Sequence, residues 1–265
     1  MLTTRPTTGR IFIFTLTSVA LLGTASSGTA ADAGAWALDL SGDRAGVSLG
    51  TSRTSWWSGR GQLTWRREGK GGVFAAVEGY RRFGATDTTF IAAGWRQLRR
   101  WSFYAEGGVT PEADFYYRRS VEVEAYRRVG ESVWVPHLGY RYWLFPGQHV
   151  HLVSPRLTRY GARSELHARL SFVRNTTHGT SSESGFVRGH FDVRPRLRLG
   201  AGVAVGERIF DVTALPRDPS PGWVVFAEAR VGLGDGNSVG VLAKVAEEGS
   251  TFDQTAFGLT YRRTF

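Results

Sequence analysis

The stretch that decides the fold is residues 254–265, QTAFGLTYRRTF, because its side chains alternate in character. One face carries apolar and aromatic residues, broken once by Arg263: Phe257, Leu259, Tyr261 and Phe265. The other face carries polar and small residues: Gln254, Ala256, Gly258, Thr260, Arg262 and Thr264. Successive side chains of a β-strand point to opposite faces, and an apolar outside with a polar lumen is typical of a membrane β-barrel. The stretch therefore predicts Leu259 and Tyr261 towards lipid and Arg262 towards the lumen.

The end of this strand carries a second signal. An aromatic residue at the C-terminus, preceded by alternating apolar residues, resembles the β-signal that the barrel-assembly machinery of Gram-negative bacteria reads. We expect this signal to consist of Phe257, Leu259, Tyr261 and Phe265. The assembly machinery is therefore an expected partner during membrane insertion.

The two-residue period recurs along the chain. Residues 165–172 alternate Glu, His, Arg and Ser with Leu, Ala, Leu and Phe, and residues 121–124 alternate Val with Glu. Segments between turn signals predict an all-β fold, a transmembrane antiparallel β-barrel of about fourteen strands, with twelve as the alternative. The predicted strands are 34–48, 54–67, 71–83, 87–98, 100–109, 117–128, 131–143, 147–157, 161–174, 184–194, 196–207, 221–234, 237–248 and 251–265.

An even strand count places both termini of the barrel in the periplasm, so long outer loops should alternate with short periplasmic turns. The expected long outer connections are 110–115, 175–183 and 207–221. The expected tight periplasmic turns are 68–70, 129–130 and 234–236. Tryptophans near predicted strand ends are expected to form the aromatic girdles at the two membrane interfaces. They are Trp56, Trp57, Trp65, Trp95, Trp101, Trp134, Trp143 and Trp223.

The first residues predict export. Arg5 and Arg10 precede an apolar run at 11–22 and a small-residue stretch at 23–31, which is the order of a secretory signal peptide. The apolar run is too short for a spanning helix, which needs about 20 residues. We therefore expect a cleaved signal peptide, residues 1–31, followed by one outer-membrane β-barrel domain, residues 32–265, in the cell outer membrane.

Composition narrows the expected partners. The chain contains no cysteine, so a lipoprotein anchor, a disulfide framework and a thiol metal site are excluded. The formal charge of +10 falls to +8 when Arg5 and Arg10 are removed. An exported protein does not meet nucleic acid, and arginine forks suit phosphates and carboxylates. The expected partners are therefore outer-membrane lipid and lipopolysaccharide, and no nucleic acid.

Three stretches carry a resemblance to a known family. They are residues 78–84 (EGYRRFG) with Asp87, residues 110–115 (TPEADF) with Arg118-Arg119-Ser120, and residues 138–142 (LGYRY) leading to Ser154-Pro155. These resemble the YaiO-type outer-membrane β-barrel family, over nearly the whole of residues 32–265. The resemblance implies a barrel and an outer-membrane address without a settled activity. Members often stand near polysaccharide machinery or follow tetratricopeptide repeats, which implies polysaccharide as a partner, although this chain has no such repeats.

Charged residues on the predicted lumen faces form the candidate site. An unpaired buried ion costs several kcal/mol, so these side chains are expected to form a carboxylate and guanidinium network that braces the lumen, or to line a permeation path. The network is predicted to contain Glu78, Arg82, Glu106, Glu122, Glu124, Arg141, Glu165, Arg169, Glu228, Arg230 and Arg262.

Catalytic chemistry finds little support in the sequence. His149 and His151 share a strand face, but Ser154 falls on the opposite one, so no Ser/His pair forms. His137, His167 and His190 are predicted to face the lumen, where hydrogen bonding to a neighbouring Glu is favoured over a metal site or proton relay. Acidic residues in or near outer connections are expected to be solvated rather than catalytic: Asp87, Asp114, Asp211 and Asp218. We therefore expect no enzyme, no cofactor, no metal and no catalytic residue.

Three functions remain open on the sequence. The first is a structural or accessory role in the outer membrane, linked to surface polysaccharide. The second is a narrow channel for anions or acidic sugars. The third is a lipid- or glycan-modifying outer-membrane enzyme, which would need a convergent cluster of Ser, His and acid side chains or of two acids.

Overall fold

A computed structural model describes residues 34–50, 52–82, 84–129, 133–207, 221–249 and 252–265. These residues form fourteen antiparallel strands in one closed barrel, in which β1 pairs with β14. The strands are β1 (Ala35–Leu49), β2 (Ser52–Arg67), β3 (Gly71–Arg82), β4 (Ala85–Gln97), β5 (Trp101–Val109), β6 (Arg119–Arg127), β7 (Trp134–Phe145), β8 (Gln148–Tyr160), β9 (Ser164–Asn175), β10 (Thr180–Arg194), β11 (Leu197–Glu207), β12 (Pro221–Gly234), β13 (Asn237–Glu248) and β14 (Phe252–Thr264). The predicted fold class and the count of fourteen, rather than twelve, are confirmed. The predicted signal peptide, residues 1–31, lies outside the described residues.

Side-chain alternation decides which face of each strand meets lipid. In β14, the side chains of Phe257 and Leu259 are 55% and 54% exposed, whereas those of Gln254 and Ala256 are 3% and 6% exposed. Tyr261, on the Leu259 face, donates its hydroxyl to Asn237 at 2.7 Å. The face predicted for lipid is therefore the outer face of the barrel. In the described part of the chain, no helix is long and apolar enough to cross a membrane.

The connections follow the expected alternation only in part. Residues 146–147 alone join β7 and β8 at the outer side, and the predicted outer connection 207–221 and periplasmic turn 129–130 lie largely outside the described residues. Residues 68–70 and 235–236 are tight turns. Asp235 has a φ of 48°, in the left-handed region, and the flanking Gly234 and Gly236 also have positive φ. The outer connection between β5 and β6 is long and runs to residue 118, because β6 begins at Arg119 rather than at residue 117. The predicted acids Asp211 and Asp218 lie outside the described residues, between the ends of β11 and β12.

The predicted long connection at 175–183 is wrong. Strand β10 begins at Thr180, so β9 and β10 are joined by residues 176–179 alone. The Asn175 side-chain oxygen accepts the backbone N–H groups of Thr177 and His178 at 3.1 and 3.2 Å. An Asn side chain that satisfies two backbone donors closes a short turn, and the polar residues beyond it extend the strand.

The tryptophan girdle was predicted too broadly. Trp56 and Trp143 are 3% and 2% exposed and pack in apolar clusters inside the barrel, and Trp95 packs partly buried against a third cluster. The others lie on the outer face. At the periplasmic end, Trp101 and Trp134 carry Arg127 and Arg159 over their rings at 5.3 and 5.7 Å. A position near a strand end does not show whether a tryptophan faces lipid or the lumen. The alternation of side chains along the strand separates the girdle tryptophans from the lumen tryptophans.

Apolar side chains pack against one another inside the barrel. One apolar cluster joins β1 and β2 to β10–β14, and in it Trp56 lies 6.1 Å from Phe252 while Phe186 stacks on Phe226 at 6.1 Å. A second cluster joins Tyr117 of the outer connection to β7 and β8. The charged residues of the lumen lie beside these apolar clusters.

Candidate functional site

Two glutamates of β6 meet two arginines of the next strands. Glu122 forms ion pairs with Arg141, its cross-strand partner on β7, and with Arg156 on β8 at 3.3 Å. Glu124 pairs with Arg156 and accepts a hydrogen bond from the Tyr126 hydroxyl at 2.5 Å. Both carboxylates are buried, and buried ions are tolerated when paired and hydrogen-bonded. This group fastens β6, β7 and β8 together from the inside.

A second group links the wall to the outer connection. Glu78 on β3 forms an ion pair with Arg60, its cross-strand partner on β2, and accepts the hydroxyl of Tyr80. Tyr116 of the outer connection stacks on Tyr80 with ring centroids 4.4 Å apart and donates its hydroxyl to Tyr80 at 3.1 Å. Burial raises the pKa of Tyr116 well above its usual value, so this phenol remains a donor.

The outer connection folds back into the barrel. The Asp87 carboxylate on β4 accepts the backbone N–H groups of Asp114, Phe115 and Tyr116 at 2.9, 3.0 and 2.6 Å. Asp87 is fully buried and Phe115 is 3% exposed. We call residues 110–118 the inward loop. The prediction that Asp87 is a solvated loop acid is wrong, because the side chain belongs to β4 and anchors this loop.

Two predicted network arginines lie against rings. Arg82 lies over Trp56 at 5.0 Å and over Phe115 at 5.6 Å, so it extends from β3 to the inward loop. Arg169 lies over Phe186 at 5.0 Å. A guanidinium stacked on an aromatic face gains cation–π attraction while it remains desolvated.

The remaining predicted glutamates have different partners. Glu228 accepts Arg188 and His190 at 2.5 and 2.7 Å. Glu106 accepts the hydroxyl of Tyr104, and Glu165 is the cross-strand partner of His190. Within the described ranges, neither Glu106 nor Glu165 forms an ion pair with Lys or Arg. The structure therefore divides the predicted network into separate groups.

Two ion pairs at the periplasmic end of the lumen are less buried than Glu122. Arg198 pairs with Asp192 at 2.7 Å, and Arg262 lies 3.6 Å from Asp39; these four side chains are 26–32% exposed, against 4% for Glu122. Arg230 is the cross-strand partner of Arg198 and has no ion-pair partner among the described residues. We call these charged residues the periplasmic vestibule: Asp39, Asp192, Arg198, Arg230 and Arg262.

Sequence reasoning missed part of the site. Arg60, Arg156 and Arg188 pair with predicted glutamates but lie on strands whose outward faces contain Gly or Pro, such as Gly59, Gly61 and Pro155, which blur the alternation. The sequence pattern that could have identified Arg60 is the alternating polar series Arg60, Gln62 and Thr64. In the structure these side chains share the inward face, and Gln62 donates to the Thr64 hydroxyl at 2.9 Å. The sequence around Asp87 does not indicate its hydrogen bonds to the inward loop.

Histidines meet in the lumen more closely than expected. His137 and His167 lie edge to face with ring centroids 6.0 Å apart, and His167 also hydrogen-bonds Thr158 at 2.8 Å. His190 contacts Glu228, as predicted for a lumen histidine beside a glutamate. The part of the chain that the structure describes holds no cluster of three or more His, Cys, Asp or Glu suited to a metal ion.

The predicted separation of Ser154 from the strand histidines is confirmed. Ser154 is fully buried on the lumen face of β8. His149 and His151 lie on the outer face, where they hydrogen-bond Tyr142 and Tyr140 at 2.7 and 2.8 Å. These side chains therefore point away from the serine.

A closed barrel with an apolar exterior and a charged lumen defines an integral outer-membrane β-barrel protein. Residues 43–206 match the family of the YaiO membrane beta barrel domain, and the chain belongs to that family. The match covers less than the nearly whole domain expected from the sequence. No curated protein matches the chain.

Solved structures share the architecture at low identity. An outer membrane channel from Pseudomonas putida F1 is 10% identical with a TM-score of 0.51, over 91% of this chain and 100% of that one. OpdR from Pseudomonas aeruginosa is 12% identical with a TM-score of 0.48, over 88% and 96% of the two chains. A BenF-like porin from Pseudomonas fluorescens is 8% identical with a TM-score of 0.48, over 88% and 99%. The similarity to the first of these supports the fold alone.

Proposed function

We propose that this protein is a structural or accessory component of the outer membrane whose barrel is closed to ions. The observation that carries the proposal is the inward loop. Its backbone is bonded to Asp87, and its Tyr116 and Tyr117 reach from the ring of Tyr80 on β3 to the cluster on β7 and β8. A segment that spans this much of the wall from the inside occupies space that a channel would need.

The packing around the loop supports the same proposal. Trp56 and Arg82 continue the contacts of Phe115 towards β14, where Phe252 lies. Charged residues below this layer are mostly paired with one another, which braces the wall. The proposal includes no enzymatic activity, in keeping with the opposite orientation of Ser154 and His149.

A narrow channel for anions is the second candidate, and the periplasmic vestibule favours it. Arg198, Arg230 and Arg262 face a half-exposed part of the lumen that contains Asp39 and Asp192. A surplus of guanidinium groups in a confined space attracts anions. This candidate needs a path past the inward loop.

Conductance of the purified, refolded protein in planar bilayers distinguishes the two. We expect no steady unitary steps, either alone or with acidic oligosaccharides on the periplasmic side. Steady steps with a reversal potential that indicates anion preference would overturn the closed-barrel proposal. Arg127→Gln, which alters a lipid-facing arginine, is the matched control. If Arg230→Gln reduced the anion preference and Arg127→Gln did not, the vestibule would be the selectivity region of a channel.

A further inference from the structure

One sector of the outer rim carries basic and aromatic side chains on the lipid-facing surface. It lies on β6–β9, next to the outer connections. We call it the outer-rim basic patch, and it consists of Arg119, Tyr140, Tyr142, His149, His151 and Arg174. The rows of the sheet bring its members together: Tyr142, His151 and Arg174 are successive cross-strand partners on β7, β8 and β9.

The two histidines of the patch can each donate a hydrogen bond from Nε2 to a ligand. The Nδ1 atom of His149 hydrogen-bonds the Tyr142 hydroxyl at 2.7 Å, and that of His151 hydrogen-bonds the Tyr140 hydroxyl at 2.8 Å. When a tyrosine donates to Nδ1 of a neutral imidazole, the proton of the ring lies on Nε2. Among the described residues, nothing binds either Nε2, so each can donate to an oxygen anion of a ligand.

The arginines of the patch lack protein counter-charges. Arg119 and Arg174 are exposed, and neither has a carboxylate within ion-pair distance in the described ranges; Arg174 bonds only the hydroxyl of Ser181, at 3.3 Å. Exposed acids of the outer rim on the strands lie in another sector, on β10, β11, β13 and β14: Glu183, Glu207, Glu247 and Asp253. Two further exposed acids, Glu112 and Asp114, lie in the inward loop. The guanidinium groups of Arg119 and Arg174 therefore attract an anionic ligand to this part of the rim.

Two apolar grooves run along the lipid-facing wall. The first, of about 640 Å³, extends from Gly72, Arg96 and Phe103, at the periplasmic ends of β3, β4 and β5, to Tyr140 on β7. The second, of about 430 Å³, contains Pro155, Ala168, Leu170, Gly185 and Val187, on strands that also carry His151 and Arg174. In both, small residues between larger ones leave room along the wall. The second groove lies below His151 and Arg174 on the same strands, so patch and groove together match a ligand with an anionic head and acyl chains.

We infer that the outer-rim basic patch binds the phosphate groups of an outer-leaflet glycolipid, with its acyl chains along the second groove. Arg119 and Arg174 lie three strands apart, roughly 14 Å at the usual strand spacing, so one headgroup with two phosphates or two neighbouring headgroups can reach both. Phosphate suits these side chains because guanidinium forks bind its oxygens in pairs. The inference is independent of whether the barrel conducts.

Native mass spectrometry of the refolded protein tests the inference. Wild type is incubated in detergent with lipid A, with lipid A from which the phosphates have been removed, or with phosphatidylglycerol. We expect retention of phosphorylated lipid A above the other two. The double variant Arg119→Gln/Arg174→Gln should bind it about tenfold more weakly or worse, because hydrogen bonds to charged groups are lost.

The matched control is Arg127→Gln/Arg159→Gln, on β6 and β8 at the opposite rim, where each arginine lies over a tryptophan. It should bind lipid A as wild type does. Equal loss in both double variants, or equal binding of dephosphorylated lipid A, would overturn the inference. Equal retention of phosphatidylglycerol would overturn the assignment to a glycolipid. Unchanged mobility shift on heating of each variant in gels verifies that folding is intact.

Discussion

The carboxylate of Asp87 on β4 accepts the backbone N–H of Phe115 at 3.0 Å, 28 residues further along the chain. With the adjacent N–H groups of Asp114 and Tyr116, this bond holds the inward loop inside the barrel. Backbone donors that are removed from water must be satisfied elsewhere. A single buried carboxylate satisfies these, so the loop position depends on Asp87.

Replacing Asp87 with alanine should therefore release the loop. Loss of charge-assisted bonds to several backbone donors should lower the free energy of unfolding by about 3–5 kcal/mol, measured by urea titration in lipid vesicles. In planar bilayers, the variant should show fluctuating conductance where wild type is silent.

Glu112→Ala is the matched control, because Glu112 is an exposed acid in the same loop. This variant should have the unfolding free energy of wild type and should show no conductance in planar bilayers. Asp87→Asn keeps one accepting oxygen and should fall between the two. An Asp87→Ala barrel as stable and as silent as wild type would show that other contacts hold the loop.

The fold was predictable because lipid imposes its pattern on each strand separately. Every outward position of β14 can be assigned from two-residue alternation, without knowledge of any other strand. The inward loop was not predictable in this way, because Asp87 and Phe115 are related only through the closed barrel. The same holds for Trp56, whose position near a strand end is compatible with a girdle until its parity is considered.

The candidate site was predictable only as a set of inward charges. Glu122 and Arg141 were both expected in the lumen, and their ion pair follows from cross-strand register. The second partner, Arg156, was missed because Pro155 and Ser154 obscure the period of β8. Pairing depends on register across strands, which no single strand encodes.

Gly202 on β11 should not tolerate a side chain. A Cβ atom at this position would meet the Phe226 ring at 2.4 Å and the backbone oxygen of Val187 at 2.8 Å. Since Phe226 stacks on Phe186, Gly202→Ala should disturb the apolar cluster and cost about 1–3 kcal/mol, measured by urea titration.

Gly79→Ala on β3 provides the comparison, because a Cβ atom there would have no neighbour within 4 Å. Glycine also loses more freedom on folding than alanine. The variant should be neutral or slightly more stable. Equal destabilisation of both variants would mean that strand flexibility, and not the ring of Phe226, sets the requirement.

Phe265 should matter more for assembly than for stability. Its side chain is 63% exposed, and its backbone N–H bonds the Trp36 carbonyl at 2.8 Å whatever the side chain is. Phe265→Ala should therefore change the unfolding free energy by less than about 1 kcal/mol. If the terminal strand is a β-signal, the folded barrel in outer membranes of cells should nevertheless fall severalfold.

The control for this variant is Phe191→Ala, on the outer face near the periplasmic end of β10 and 52% exposed. It removes a similar ring from a similar environment without altering the terminal strand. Folded barrel is measured in cells by heat-modifiable migration and in vitro by refolding into vesicles. A parallel loss in cells for both variants would refute a specific role of Phe265 in assembly.

Glu122 should be the most costly charge to remove. It is 3% exposed and pairs with Arg141 and Arg156, so Glu122→Ala leaves two guanidinium groups beside Arg169 with Glu124 as the nearby carboxylate. Breaking a buried pair from one side costs about 3–5 kcal/mol. Arg141→Ala should cost less, because Arg156 still neutralises Glu122 and the Arg141 side chain is 30% exposed.

A double-mutant cycle separates pairing from burial. If Glu122 and Arg141 stabilise the wall through each other, Glu122→Ala/Arg141→Ala should be less destabilised than the sum of the single variants by about 1–3 kcal/mol. Glu183→Ala, an exposed acid on the outer face, should stay within about 0.5 kcal/mol of wild type. Strict additivity in urea titrations would mean that Arg156 alone neutralises Glu122, and that the β6–β7 pair contributes nothing of its own to the closed wall.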